Sequence, residues 1–263
     1  MDGIELALRF SFQPNALHYC GPERAHNDFL SYFNHNKTRH DISANIDTKY
    51  AEKIRQDLKE FEGLNPYLEF ISEKTGRDFT DYKVVEAYWI GNELLDEFND
   101  EDMKKLIPNL TQGGLPKSAA EKLVQKLPQG LFPHHNFNVF YVGVGQITGA
   151  VPTTVKNMDN CMISFGVIHE VKNSEWKNVL VVKRNPLIQN GILLEFGNEE
   201  LKEVEYLKEM LPNVKKGDAV AVHWNFALMQ LDEKQRKNLE HYTNKILTIL
   251  NDRNKVDKSK TSG

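Results

Sequence analysis

Two short stretches carry the residues best suited to chemistry. Cys161 opens Cys161-Met162-Ile163-Ser164-Phe165-Gly166-Val167-Ile168, and it is one of only 2 cysteines in 263 residues. His223 stands in Gly217-Asp218-Ala219-Val220-Ala221-Val222-His223-Trp224-Asn225-Phe226-Ala227. That stretch reads as a turn, a half-buried strand, a histidine at the strand's end, then a helix. A soft thiolate with an imidazole makes a donor pair for a transition metal. Cys20, the other cysteine, lies in Tyr19-Cys20-Gly21-Pro22 ahead of an expected helix start, where backbone N–H groups lower a thiol pKa. His134 and His135 are adjacent in Pro133-His134-His135-Asn136. On an extended segment they face opposite ways, so at most one joins a given site. Each residue also has an ordinary role open to it. A free cysteine is most often a small buried hydrophobe, and a loop histidine most often a surface group.

The elements that must position these residues change character along the chain. The first half reads helical: Ile4 to Phe12, Ala25 to Phe33, Tyr50 to Phe61, Pro66 to Thr75, Asp81 to Phe98, Asp100 to Leu106 and Lys117 to Leu127. Asp81 to Phe98 is the strongest of these, with Val84, Val85, Tyr88, Trp89, Leu94 and Leu95 on one broad apolar face. Past Pro133 the pattern turns to strands. Phe137, Val139 and Tyr141 alternate up to Gly143, followed by Met162 to Val171, Asn178 to Lys183, Ile192 to Phe196 and Ala219 to His223. Glu233 to Leu250 returns to helical spacing. The expected fold class is therefore α+β. A helical domain (1–132) precedes a small antiparallel β-barrel with a closing helix (133–250), and a polar disordered tail (251–263) ends the chain.

Composition bounds the function. The apolar share of 40% and charged share of 27% suit a globular protein, and a formal charge of −4 gives nucleic-acid binding no electrostatic support. No apolar run reaches bilayer length, and the start Met1-Asp2-Gly3-Ile4-Glu5 lacks a basic signal-peptide region, so cytoplasmic residence is the expectation. Two cysteines are no disulfide framework for a chain of this size. Gly143-Val144-Gly145 lacks the third glycine and following helix of a phosphate loop.

Taken together, the Cys161 and His223 stretches resemble the small hydrogenase assembly chaperones of the HypC/HupF type. Cys161, Gly166 and Ile168 stand at the spacing of that family's opening motif. Gly217, Asp218, Val220, Val222, His223, Phe226 and Ala227, followed by Leu231-Asp232-Glu233, match its closing one. The resemblance covers roughly residues 159 to 250. It differs in that Cys161 is internal, that Ser164 and Phe165 replace an apolar residue and a proline, and that Asn225 replaces a glycine. The whole chain also looks like an uncharacterised bacterial and archaeal family thought to occur near nickel-iron hydrogenase genes. The matching signatures are Asn15-Ala16-Leu17-His18-Tyr19-Cys20-Gly21-Pro22 and His134-His135-Asn136-Phe137-Asn138-Val139-Phe140.

The resemblance implies an OB-like barrel and a hydrogenase maturation factor. Such a protein binds or carries an iron-cyanide-carbonyl unit for delivery to the hydrogenase large subunit, with a HypD-like partner. Cys161 and His223 would lie together on an exposed side of the barrel. An internal Cys161 has no free α-amino group, so Cys20 or the His134-His135 segment would supply a further donor. Two other readings stand beside this one. A cysteine-dependent enzyme would use Cys20 as nucleophile and His134 or His135 as base. A structural zinc protein would use Cys20, Cys161, His135 and His223. Of these, an assembly chaperone is favoured over a turnover enzyme.

Overall fold

The computed structural model describes residues 1–37, 48–174 and 177–261. Its helices are α1 (Gly3–Ala16), α2 (Ala25–Lys37), α3 (Thr48–Lys59), α4 (Asn65–Thr75), α5 (Tyr82–Trp89), α6 (Asp100–Asn109), α7 (Lys117–Gln125), α8 (His135–Phe137), α9 (Val155–Cys161) and α10 (Glu233–Thr261). Its strands are β1 (Ser164–Asn173), β2 (Asn178–Arg184), β3 (Leu187–Asn190), β4 (Leu193–Phe196), β5 (Glu200–Tyr206), β6 (Ala219–His223) and β7 (Phe226–Gln230). Five of them close a barrel in the order β1-β2-β5-β7-β6, while β3 and β4 form a separate two-stranded ribbon. The protein is thus α+β: helices, a five-stranded barrel, then a long terminal helix.

Several expectations are corrected. The barrel is mixed rather than wholly antiparallel, because β5 pairs with β7 in parallel through Glu205–Phe226 and Tyr206–Ala227. Residues 137–143, read as its first strand, are helical: α8 runs into a π-helical turn at Asn138–Gly143. Phe137 and Val139 to Gly143 are all buried, so the alternation of large apolar residues marked no solvent-facing side. Asp81 to Phe98 is not one helix. Gly91 has φ 94°, and a β-carbon there would stand 2.2 Å from the Tyr242 ring, so α5 ends where α10 docks. A 3-10 turn (Glu93–Glu97) follows it. Residues 226–227, expected to begin a helix, begin β7 instead. Trp224 and Asn225, with φ of 51° and 60°, form a two-residue turn of the I′ kind that reverses β6 into β7. The tail from 251 continues α10 to Thr261, and its last residues, 262–263, lie outside the described residues.

The two halves share one continuous core. Buried side chains from Leu6 through Leu250 form one continuous apolar cluster, and the barrel itself begins only at Ser164. Arg9 is the clearest tie between the halves. Its guanidinium is held by Glu5 one turn back, and Nη1 donates to the carbonyls of Met210 (2.7 Å) and Leu228 (3.0 Å). Such a charge is tolerated in the interior because every face of it is paired. It pins α1 against the barrel. Gly166 serves the barrel from within: a β-carbon there would come 2.7 Å from the Val182 side chain, so only glycine lets β1 and β2 close to this spacing.

Candidate metal centre

Three different kinds of element deliver three donors to one point. Cys161 is the last residue of α9, just ahead of β1. Thr154 caps that helix by accepting from the Asn157 N–H at 3.2 Å. His135 opens α8, the short helix that His134 caps by accepting the Asn136 N–H. His223 ends β6, and the tight turn after it holds the Trp224 N–H on the Asn160 carbonyl at 2.6 Å. The ligand atoms of His135, Cys161 and His223 all lie within 4.8 Å of one another. Donors around a tetrahedral ion, with metal–nitrogen about 2.0 Å and metal–sulfur about 2.3 Å, stand roughly 3.3–3.6 Å apart. The His135 Nε2 to Cys161 Sγ distance of 3.7 Å is already close to that span.

Both imidazoles are oriented from behind by groups of the helical half. His223 Nδ1 lies 2.9 Å from the Phe10 carbonyl, which can only accept, so Nδ1 carries the proton and Nε2 the lone pair. That Nε2 is buried and has no hydrogen-bond partner. His135 Nδ1 lies 3.0 Å from the Tyr88 hydroxyl, which donates to the Gly63 carbonyl at 2.7 Å. Two tautomers compete at this ring. With the phenol proton on Gly63, Nδ1–H donates to the phenol oxygen and Nε2 keeps its lone pair; in the other, Nε2–H donates to the Cys161 carbonyl at 3.0 Å. A bound metal ion would select the first. A carbonyl or phenol behind each ligating imidazole is the outer-shell arrangement that fixes metal-binding histidines.

The site is buried, contrary to the exposed barrel face expected for it: His223 is 1% exposed, His135 5% and Cys161 9%. Burial, followed by the neighbouring His223, holds His135 well below the usual imidazole range, and burial brings His223 to about 4. Burial pushes the Cys161 thiol upward, against the smaller pull of a hydrogen bond from the Trp224 side chain. At neutral pH the residues alone therefore give two neutral imidazoles and a thiol, not a thiolate–imidazolium pair. A bound cation supplies the charge that such a thiol needs to ionise.

The other candidates separate. Cys20 lines the same cavity but lies outside the three-donor group. Its Sγ is 3.7 Å from a Glu62 carboxylate oxygen, and burial raises its pKa to about 12 with Glu62 adding to the rise. Its sulfur hydrogen bond goes to Glu62, and among the described residues none joins it to His134 or His135, the pair a nucleophile and base would make. His134 turns away toward Phe132 and Tyr242, and burial lowers it to about 3. Four residues that the sequence did not single out complete the site. They are Tyr88, the Trp224 indole, the Phe10 carbonyl and Asn136. The Asn136 side chain clamps Ile163 in both directions, accepting from its N–H at 2.9 Å and donating to its carbonyl at 3.1 Å. That clamp sets the backbone just beyond Cys161. The only signal available for it was its place next to the histidine pair.

His135, Cys161 and His223 form a group that can hold a metal ion. The chain belongs to a family of unknown function, DUF6390, whose model matches residues 1–257. No curated protein and no solved structure matches it. Among the described residues, no helix of this DUF6390 protein is long and apolar enough to cross a membrane.

Proposed function

We propose that this protein binds one transition-metal ion through His135, Cys161 and His223, and that it acts in metallocentre assembly rather than as a cysteine-dependent enzyme. The observation that carries the metal reading is the buried, unpartnered Nε2 of His223. Its lone pair is fixed by the Phe10 carbonyl and lies beside the His135 ring and the Cys161 sulfur. A buried polar atom left without a partner costs roughly 1–3 kcal/mol, which a coordination bond would offset. Two imidazoles and one thiolate suit iron, zinc, copper or nickel.

The spacing of the Cys161 and His223 motifs supports the finer reading. The ion is then iron bearing cyanide and carbonyl, carried with a HypD-like partner to the hydrogenase large subunit. Three protein donors rather than four suit a cargo that must leave. The second reading is zinc, which accepts a set of two imidazoles and a thiolate, with Cys20 lining the same cavity.

The test is metal analysis with infrared spectroscopy of protein from its native host. Iron at one equivalent with cyanide and carbonyl stretching bands is the expected result. One equivalent of zinc without those bands would replace the cargo by zinc, and protein without metal that also fails to take up cobalt(II) would overturn the centre.

A further inference from the structure

The three donors share their cavity with groups that coordinate nothing and yet have nothing to bond. The cavity measures about 60 Å³ and is lined by His135, Cys161 and His223 together with Ser11, Cys20 and Trp89. The Ser11 hydroxyl and the Trp89 indole nitrogen are both buried without a hydrogen-bond partner, in residues 1% and 3% exposed. Ser11 comes from α1 and Trp89 from α5, each one residue away from a residue that orients a histidine: Phe10 in α1, Tyr88 in α5. Much of the rest of the wall is apolar, including Pro14, Leu64 and Ile147. A water needs only about 10–15 Å³ of such space, so there is room for a ligand of two or three atoms.

Resting on the metal reading above, we propose that the centre keeps its fourth coordination position for a small exogenous ligand, and that the helical half binds that ligand through Ser11 Oγ and Trp89 Nε1. An indole N–H can only donate and a serine hydroxyl readily does, so the ligand is an acceptor: a small monodentate anion of hydroxide or azide size. The geometry argues against Cys20 as the fourth donor. Its Sγ stands outside the group of ligand atoms that lie within 4.8 Å of one another, and it is engaged by Glu62. A fourth protein thiolate would also leave Ser11 and Trp89 without a function or a partner. The ligand position therefore belongs to the interface between the halves, with the metal held mainly from one side and its ligand from the other.

The experiment uses the full chain loaded with cobalt(II) and titrated with azide, read by visible absorption at saturating metal. A thiolate-to-cobalt charge-transfer band reports the metal site, and the ligand-field bands report its fourth position. Expected is a saturable change of the ligand-field bands with azide. Its affinity should fall roughly three- to tenfold in Ser11→Ala and again in Trp89→Phe, the loss of one hydrogen bond each. Ligand-field bands that ignore azide while the charge-transfer band is present would overturn the proposal and leave the metal centre standing. So would a charge-transfer band that drops in Cys20→Ser, since the fourth position is then a protein sulfur. Azide binding unchanged in both Ser11→Ala and Trp89→Phe would overturn the role given to the helical wall. Absence of the charge-transfer band would overturn the metal reading itself and this proposal with it.

Discussion

The barrel side and the helical side of the centre do different work. From the barrel and the segment leading into it come the donors: Cys161 at the end of α9, His223 at the end of β6, and His135 at the junction. The helical half brings what aims them: the Phe10 carbonyl, the Tyr88 phenol and the Gly63 carbonyl behind it. Donors without the outer partners would have free tautomers and rotamers, and the partners without donors would be buried polar groups facing a void. The difference teaches that the site is a property of the packed pair of halves, held together by contacts such as the buried Arg9 on the Met210 and Leu228 carbonyls.

The sharpest way to break the comparison is to remove a donor. Cys161→Ser should weaken cobalt(II) or zinc(II) affinity by more than the roughly 10–100-fold that loss of an outer partner costs, measured by competition with a chromophoric chelator. The same variant should lose the metal-induced rise in Tm that the unaltered protein shows, because only a folded-state ligand raises it. Retained affinity would mean that the thiolate is not a donor.

Next in size is the clamp beside Cys161 on the donor side. Asn136→Ala leaves the buried N–H and carbonyl of Ile163 unpaired, and should lower unfolding free energy by about 2–4 kcal/mol in urea titration. A change below 1 kcal/mol would show that water replaces the clamp.

Tyr88→Phe tests the helical side alone. It removes the partner of His135 Nδ1 and frees the Gly63 carbonyl while keeping the ring. Metal affinity should fall roughly 10–100-fold, with a stability loss of about 1 kcal/mol. Equal affinities in the variant and the parent would remove the phenol from the site.

The smallest effect is expected at Cys20. Cys20→Ser should change metal affinity less than about threefold, since this thiol sits with Glu62 outside the donor group. A loss comparable to that of Cys161→Ser would merge the two cysteines into one four-donor cage of the kind zinc accepts.

Much of the architecture was legible in the chain. Helical spacing marked α1 to α7, though it ran α5 on to Phe98, and short strand-like runs marked β1, β2 and β6, because these signals are local. Strands β5 and β7 were not legible. In Glu200–Tyr206 only Val204 and Tyr206 are buried, at the end of a strand that is otherwise largely exposed and mostly charged, so the apolar alternation is too short to register; Phe226–Gln230 is almost wholly buried and presents no polar face. The Phe137–Tyr141 alternation misled for the same reason: burial on all sides leaves periodicity nothing to report.

By itself the sequence determined the α+β class, the order of helices before barrel, and the short roster of soft donors, since residue type and local spacing set these. Only the tertiary structure decided which of the adjacent histidines meets Cys161, which nitrogen of His223 is free, and that the Cys20 sulfur is held by Glu62. Those choices depend on a carbonyl of α1 and a phenol of α5 reaching residues more than a hundred positions away or on another element, as Phe10 does for His223. No local pattern encodes which side chains a closed barrel and a helical layer will bring within hydrogen-bond distance.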